Sequence, residues 1–226
     1  AGSRPHRYPA PVPSLPEPGP AEAVNHGAPS KPRPAATVVL MRDSEDDGSL
    51  EVLLLKRTET ATFMPGVWVF PGGALDPEDG EGETGLANCA RRELAEEAGI
   101  ELHPEAELVP LARWITPEVI QTRFDTWFFL GQSPPGAQVR PDGEEMTAGQ
   151  WLRPSAALEL QERDELELHF PTLRQLEAIS GHRDSQAAIE AARSDPAATQ
   201  PILPKVVGDE REFRILVPGD EGYPED

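Results

Sequence analysis

Apolar residues fall into short runs separated by polar breaks rich in glycine and proline. The run AATVVLM (35–41) is β-branched and stops at the polar RDSEDDGS (42–49), after which LEVLLLKR (50–57) resumes the apolar character. Two such segments around a short Asp/Gly loop predict an antiparallel hairpin. GVWVF (66–70) predicts a further short strand, halted by Pro71, Gly72 and Gly73. LVPLARWI (108–115), DTWFFL (125–130) and GQWL (149–152) predict three more. Three- and four-residue spacing of apolar positions at 86–98, 155–163, 172–180 and 185–193 predicts helices. The order shows no regular βαβ alternation and no repeat of solenoid period. The expected class is therefore α+β, a mixed β-sheet sandwiched by helices.

The same pattern divides the chain. Residues 1–34 hold 10 of the 26 prolines and scarcely an apolar pair. This Pro-rich N-terminal tail predicts extended, polyproline-like backbone, with a PxxP-type docking ligand as the functional alternative. A domain is expected over 35–200, followed by an acidic C-terminal segment, 201–226, with too many charges for a core element. No apolar run reaches the roughly 20 residues that span a bilayer, and the first twenty residues lack the apolar stretch of a secretory signal. A net charge of −20 repels phosphate backbones and anionic lipid, so neither nucleic acid nor membrane is an expected partner. The single Cys89 rules out an internal disulfide or a cysteine-rich zinc site, and a cytoplasmic setting is expected.

The stretch TGLANCARRELAEEAGI (84–100) carries the chemistry. Ala87, Ala90, Leu94 and Ala98 form a small apolar stripe, and Gly99 supplies a helix stop. Glu93, Glu96 and Glu97 stand at i, i+3 and i+4, which gathers three carboxylates on one face. Acidic helical faces are usually only solvated, but such a face would interleave lysine, and no Lys lies between Lys56 and Lys205. A divalent cation relieves the repulsion most directly. Upstream, VFPGG (69–73) ends a strand in two glycines, Gly72 and Gly73, where backbone can approach a ligand closely. Strand, glycine turn and carboxylate-lined helix together suit a metal-bound polyphosphate.

These residues resemble the Nudix box, G-x5-E-x7-R-E-U-x-E-E-x-G-U. Its second half is matched by Arg92, Glu93, Leu94, Glu96, Glu97, Gly99 and Ile100. Its first half departs: the isolated Glu falls at Thr84 and the leading Gly at Glu78, because DPEDGEGET (76–84) separates the glycine turn from the helix. FPGGALDPED (70–79), RWITP (113–117), RFDTWFF (123–129), FPTLRQL (170–176) and VPGDEGY (217–223) resemble the branch that includes peroxisomal coenzyme A diphosphatases, although the chain ends in YPED rather than a peroxisomal tripeptide.

The resemblance implies hydrolysis of a diphosphate linkage in a small nucleoside diphosphate derivative, with coenzyme A or acyl-coenzyme A leading and ADP-ribose, NADH or a nucleotide sugar as alternatives. A non-catalytic nucleotide-binding module of the same fold is the third reading. Mg²⁺ or Mn²⁺ is implied, with Glu93, Glu96 and Glu97 as ligands, Arg92 orienting a carboxylate, and Glu97 or a loop carboxylate as general base. Of Glu144 and Glu145, the latter is the expected additional acidic group. Arg57 and Arg123 are the expected phosphate contacts, and either could instead be a surface ion pair. Trp114, Phe124, Trp127 and Phe128 are expected to pack in the core rather than stack on a base. Cys89 is expected to be inert. Analogy to dimeric relatives favours a homodimer.

Overall fold

The computed structural model describes residues 24–25, 27–61, 64–208 and 213–224. Most of the Pro-rich tail lies outside the described residues. Its last part lies along the domain: Val24 bridges Ile120, and the Ser30 hydroxyl donates to the Gln121 carbonyl at 2.8 Å.

Strand β1 (Arg33–Asp43) organises the sheet. One edge runs parallel to β6 (Phe124–Gln132) from Arg33↔Phe124 to Met41↔Gln132. The other edge forks. Met41–Asp43 pair with the start of β2 (Leu50–Arg57), closing the expected hairpin, whereas Ala35–Thr37 pair with β4 (Gly72–Ala74). The glycines expected to break a strand therefore make one of their own. The strand expected over 66–70 shrinks to β3 (Trp68–Val69), because β2 offers it only Leu55 and Lys56 before the chain crosses to β1. Beyond β6, β5 (Leu108–Ile115) pairs antiparallel, and β8 (Pro201–Ile202) adds to its edge, so the sheet extends past residue 200. On the other flank β7 (Met146–Leu152) pairs with β2.

Alternation along β1 feeds two cores. Val39 and Met41 face α2 (Pro154–Glu162), α3 (Phe170–Ile179) and α4 (Ser185–Arg193); Val38 and Leu40 face α1 (Gly82–Ala98). The sheet is sandwiched by helices, as expected of an α+β chain. On α1 the buried stripe is Leu86, Cys89, Ala90, Leu94 and Ala98, with Ala87 only half-buried. Gly99 stops the helix in the left-handed region, φ 65°, its N–H donating to Ala95 O at 3.0 Å. Trp114 and Phe128 are buried in the first core, as expected.

The C-terminal segment departs from expectation. β9 (Lys205–Gly208) and β10 (Phe213–Leu216) form a hairpin, and Leu216 and Val217 are buried despite the surrounding charge. The Asp220 carboxylate accepts the Val217 N–H at 2.8 Å, a turn contact that lets an acidic stretch deliver an apolar pair to the core. No described helix is long and apolar enough to cross a membrane.

Leu94 anchors α1 to the sheet with no exposed surface. Leu94→Ala is expected to cost about 2–5 kcal/mol in urea-denaturation stability. A loss below about 1 kcal/mol would show that α1 is not held by this core.

Candidate active site

The acidic face of α1 overlies the fork in β1, where β4 enters beside Ala36 and Thr37. Both glycines are required there by contact rather than by backbone dihedral. A Cβ on Gly72 would lie 2.3 Å from Thr37 Oγ1 and 2.6 Å from the Ala36 carbonyl. A Cβ on Gly73 would lie 2.3 Å from Glu93 Oε1. The absence of side chains lets the helix carboxylates rest on the strand.

Glu97 is 4% exposed, and its Oε2 accepts the Gly72 N–H at 2.9 Å. Burial raises its carboxyl to about 8; the Gly72 N–H and Arg57 oppose the rise, while Glu93 and Glu145 add to it. Burial also raises Glu93, against the pull of Arg92, with Glu96 and Glu145 adding repulsion. Glu96 is exposed.

Arg92 holds this face together. Its Nη1 donates to Glu93 Oε1 at 2.8 Å and to Glu96 Oε2 at 3.0 Å. Its bidentate pair is with neither. Nε reaches Asp79 Oδ1 at 3.0 Å and Nη2 reaches Asp79 Oδ2 at 2.9 Å, with a further bond to the Ala74 carbonyl at 3.2 Å. The carboxylate that orients Arg92 thus comes from the insertion, in a 3-10 turn over Pro77–Asp79. The hydrogen bond from Arg92 holds Asp79 below the usual carboxylate range, and Asp79 in turn holds Arg92 more firmly protonated.

The three helix glutamates do not converge on one point. Among the described residues no three acidic, His or Cys side chains form a ready coordination cluster. The physical reason is local: Arg92 stands one and four residues before Glu93 and Glu96 and gathers both.

The flank opposite α1 is built by β2 and β7. Asp142 Oδ1 accepts the N–H groups of Glu144, Glu145 and Met146 at 2.6, 2.8 and 3.1 Å, fixing the turn before β7. That turn brings Glu145 Oε2 within 4.0 Å of Arg57 Nη2 and close enough to act on Glu93 and Glu97. The structure therefore brings together Arg57, Gly72, Gly73, Arg92, Glu93, Glu96, Glu97 and Glu145. Glu144 contributes only a backbone bond to the turn.

Arg123 has a different task from the expected phosphate contact. It is 7% exposed and donates to the Thr116 carbonyl at 2.9 Å and the Ser30 carbonyl at 2.8 Å, tying a loop to the end of the N-terminal tail. Cys89 is buried, points at the carbonyls of Gly73 and Ala74, and is pushed to about 12 chiefly by burial, which leaves it without nucleophilic character. Sequence reasoning missed one neighbour of this acidic face. Asp79 was visible as an acid in the insertion but gave no signal of its pairing with Arg92.

A family model described as the NUDIX domain matches residues 31–176. The Bos taurus m7GpppN-mRNA hydrolase NUDT17 is 31% identical over 120 residues, 47% of this chain and 38% of that protein. The Caenorhabditis elegans putative nudix hydrolase 7 is 41% identical over 68 residues, 30% of this chain and 22% of that protein. The matched stretches thus span well under two thirds of either relative. Among solved structures, a NUDIX hydrolase from Alicyclobacillus acidocaldarius superposes with a TM-score of 0.64 at 27% identity, covering 71% of this chain and 96% of that one. The NUDIX domain of Shewanella oneidensis NrtR, solved with ADP ribose, shares the fold at a TM-score of 0.50 and 19% identity, over 66% of this chain and 86% of that one.

Two carboxylates predict opposite pH signatures of stability. Asp79 is depressed when folded, so its contribution is complete above the unfolded value of about 3.9 and is lost below it. Asp79→Asn is expected to be less stable than the parent near neutrality, with the gap closing as acid is added. Glu97 is raised, so the folded state loses stability as pH climbs from the ordinary carboxylate value toward about 8. In chelator-containing buffer Glu97→Gln is expected to exceed the parent in stability above that pH and to match it near pH 4, roughly the ordinary carboxylate range. Thermal denaturation across pH checks both; flat differences would contradict the burial and pairing described.

Proposed function

The chain belongs to the Nudix family, and on that footing we propose that it is a metal-dependent hydrolase cleaving the diphosphate linkage of a small nucleoside diphosphate derivative, with coenzyme A or acyl-coenzyme A as the leading substrate class. The observation that carries this reading is the acidic face of α1, whose Glu93 and Glu97 stand over Gly73 and Gly72 and whose Glu93 and Glu96 share Arg92, itself locked to Asp79. A purely structural helix gains nothing from burying Glu97 at 4% exposure, where burial and the nearby Glu93 both raise its cost of ionisation.

The donor set fits a hard divalent cation such as Mg²⁺ or Mn²⁺. It is all oxygen, it mixes buried and exposed carboxylates, and its excess negative charge is what a cation would offset. Glu93, Glu96 and Glu97 would hold it, with Glu145 adjacent. A bound divalent ion would neutralise phosphate charge and lower the pKa of a coordinated water. The chain's own residues do the rest. Arg92 gathers and orients Glu93 and Glu96. The Gly72 N–H fixes one oxygen of Glu97 and leaves the other available as a proton acceptor. Arg57 supplies positive charge for a phosphate oxygen on the opposite flank.

The coenzyme A preference rests on the likeness of FPGGALDPED (70–79) and the later segments to that branch. ADP-ribose is the second reading, favoured by its presence in the Shewanella NrtR domain of the same fold. The Bos taurus relative is described as acting on capped mRNA, but a chain of net charge −20 opposes a polynucleotide substrate.

Glu96→Gln and Glu97→Gln are each expected to lower kcat by orders of magnitude while the circular dichroism spectrum is retained. Unchanged rates in both would remove the assignment of the acidic face. A panel of coenzyme A, ADP-ribose, NADH and nucleotide sugars at matched concentration with Mg²⁺ or Mn²⁺ sets the substrate. An ADP-ribose kcat/KM about tenfold above that for coenzyme A, some 1.4 kcal/mol, would overturn the leading class.

A further inference from the structure

Strand β7 changes phase at the end that meets Arg57. Its partners on β2 run one for one from Val52↔Leu152 to Lys56↔Ala148, but Arg57 then pairs with Met146. Thr147 is the extra residue, a β-bulge of the kind that re-aims side chains. Farther along β7, Leu152 packs against the first core and Trp151 against the second. Unbroken alternation would put Met146 on the side of Leu152. The bulge reverses that, and Met146 is fully buried in the second core with Leu94 and Ala98 of α1. Its cross-strand partner Arg57 takes the same α1-facing side.

The residues before the bulge are held by backbone bonds at both ends. The Arg140 N–H donates to the Ala98 carbonyl at 2.8 Å, which starts the segment at the C-terminal end of α1. The Thr58 N–H donates to the Glu145 carbonyl at 2.8 Å, which ends it beside β2. Between these anchors Gly143, in the left-handed region at φ 79°, donates its N–H to the Met146 carbonyl at 2.9 Å. The successive N–H groups of Glu144, Glu145 and Met146 then end on one oxygen, Asp142 Oδ1. A carboxylate is suited to three donors, because each bond to it is charge-assisted.

We propose that Asp142 is a positioning residue: by collecting these three N–H groups it sets the bulged turn that delivers Glu145 to the cation and phosphate site formed by α1 and Arg57. The inference rests on the hydrolase reading given above. The Glu145 side chain is 68% exposed, so its backbone, and not packing, aims it. That backbone brings Oε2 within 4.0 Å of Arg57 and puts the carboxylate where it raises the cost of ionising both Glu93 and Glu97. Without Asp142 the three N–H groups turn to water, the turn relaxes, and Glu145 swings clear of α1.

The test compares Asp142→Ala, Asp142→Asn, Glu145→Gln and the double variant Asp142→Ala/Glu145→Gln. Two readouts are used: the Mn²⁺ Kd from electron paramagnetic resonance, and kcat and KM for the best diphosphate substrate with Mg²⁺. Asp142→Ala is expected to raise the Mn²⁺ Kd and to lower kcat by about tenfold each, the scale for groups that orient ligands around a metal. Asp142→Asn keeps an acceptor oxygen without the charge and is expected to recover part of the loss. Adding Asp142→Ala to Glu145→Gln is expected to cost nothing further in either readout, whereas a merely structural loss would persist there. An unchanged Asp142→Ala, an Asp142→Asn as impaired as Ala, or losses that multiply in the double variant would overturn the proposal. If Asp142→Ala does not fold, Asp142→Ser takes its place in the same cycle and is judged by the same outcomes. A parental chain that takes up Mn²⁺ without turning any substrate over would sink the hydrolase reading, while the Mn²⁺ cycle would still judge Asp142. A parental chain with neither uptake nor turnover overturns both.

Discussion

The guanidinium of Arg92 is the contact on which the acidic face of α1 depends. Three glutamates within five residues repel one another, and no lysine is near in sequence to offset them. Arg92 meets two of them directly and is itself anchored by two bonds to Asp79 and one to the Ala74 carbonyl. A single cation therefore ties the helix, the 3-10 turn and β4 into one rigid unit. Charge-assisted, bidentate geometry makes that unit stiff as well as stable. The cost is concentrated at Glu97, which is buried without an ionic partner in close contact and is held mainly by one backbone N–H. Such local expense is typical of functional sites rather than of scaffolds.

The sheet explains why the carboxylates sit where they do. β1 forks because its edge is shared between β2 and β4, and the fork leaves room above Gly72 and Gly73 for side chains from α1. The β2–β7 flank then closes the far side with Arg57 and Glu145, its turn fixed by Asp142. Of the two buried cores, one on each face of β1, the second holds α1 against the fork and the first packs α2, α3 and α4 on the other side. The placement of the acidic face and of Arg57 and Glu145 around it follows from strand topology.

Much of this was legible in the sequence, and the parts that were not share a cause. Periodicity located the strands around Val38, Leu53 and Phe128 and the helix around Leu94, because burial on two faces leaves a strong apolar signal. RELAEEAGI, residues 92–100, disclosed the acidic face because spacing alone places Glu93, Glu96 and Glu97 together. Tertiary pairing was not visible. Gly72–Ala74 reads as a break until β1 supplies a partner. Asp79 reads as one acid among several until Arg92 folds back on it. Arg123 looked available to phosphate because nothing local shows that the Ser30 and Thr116 carbonyls will enclose it. The apolar pair Leu216–Val217 was hidden by flanking charge.

Direct titration with Mn²⁺, followed by electron paramagnetic resonance of the free ion, tests the central claim that the acidic face of α1 is a divalent-cation site. The account predicts saturable uptake by the parental chain, preserved in Glu144→Gln and lost when Glu93, Glu96 and Glu97 are all replaced by Gln. Absence of uptake by the parental chain, or equal uptake after that triple replacement, would contradict it.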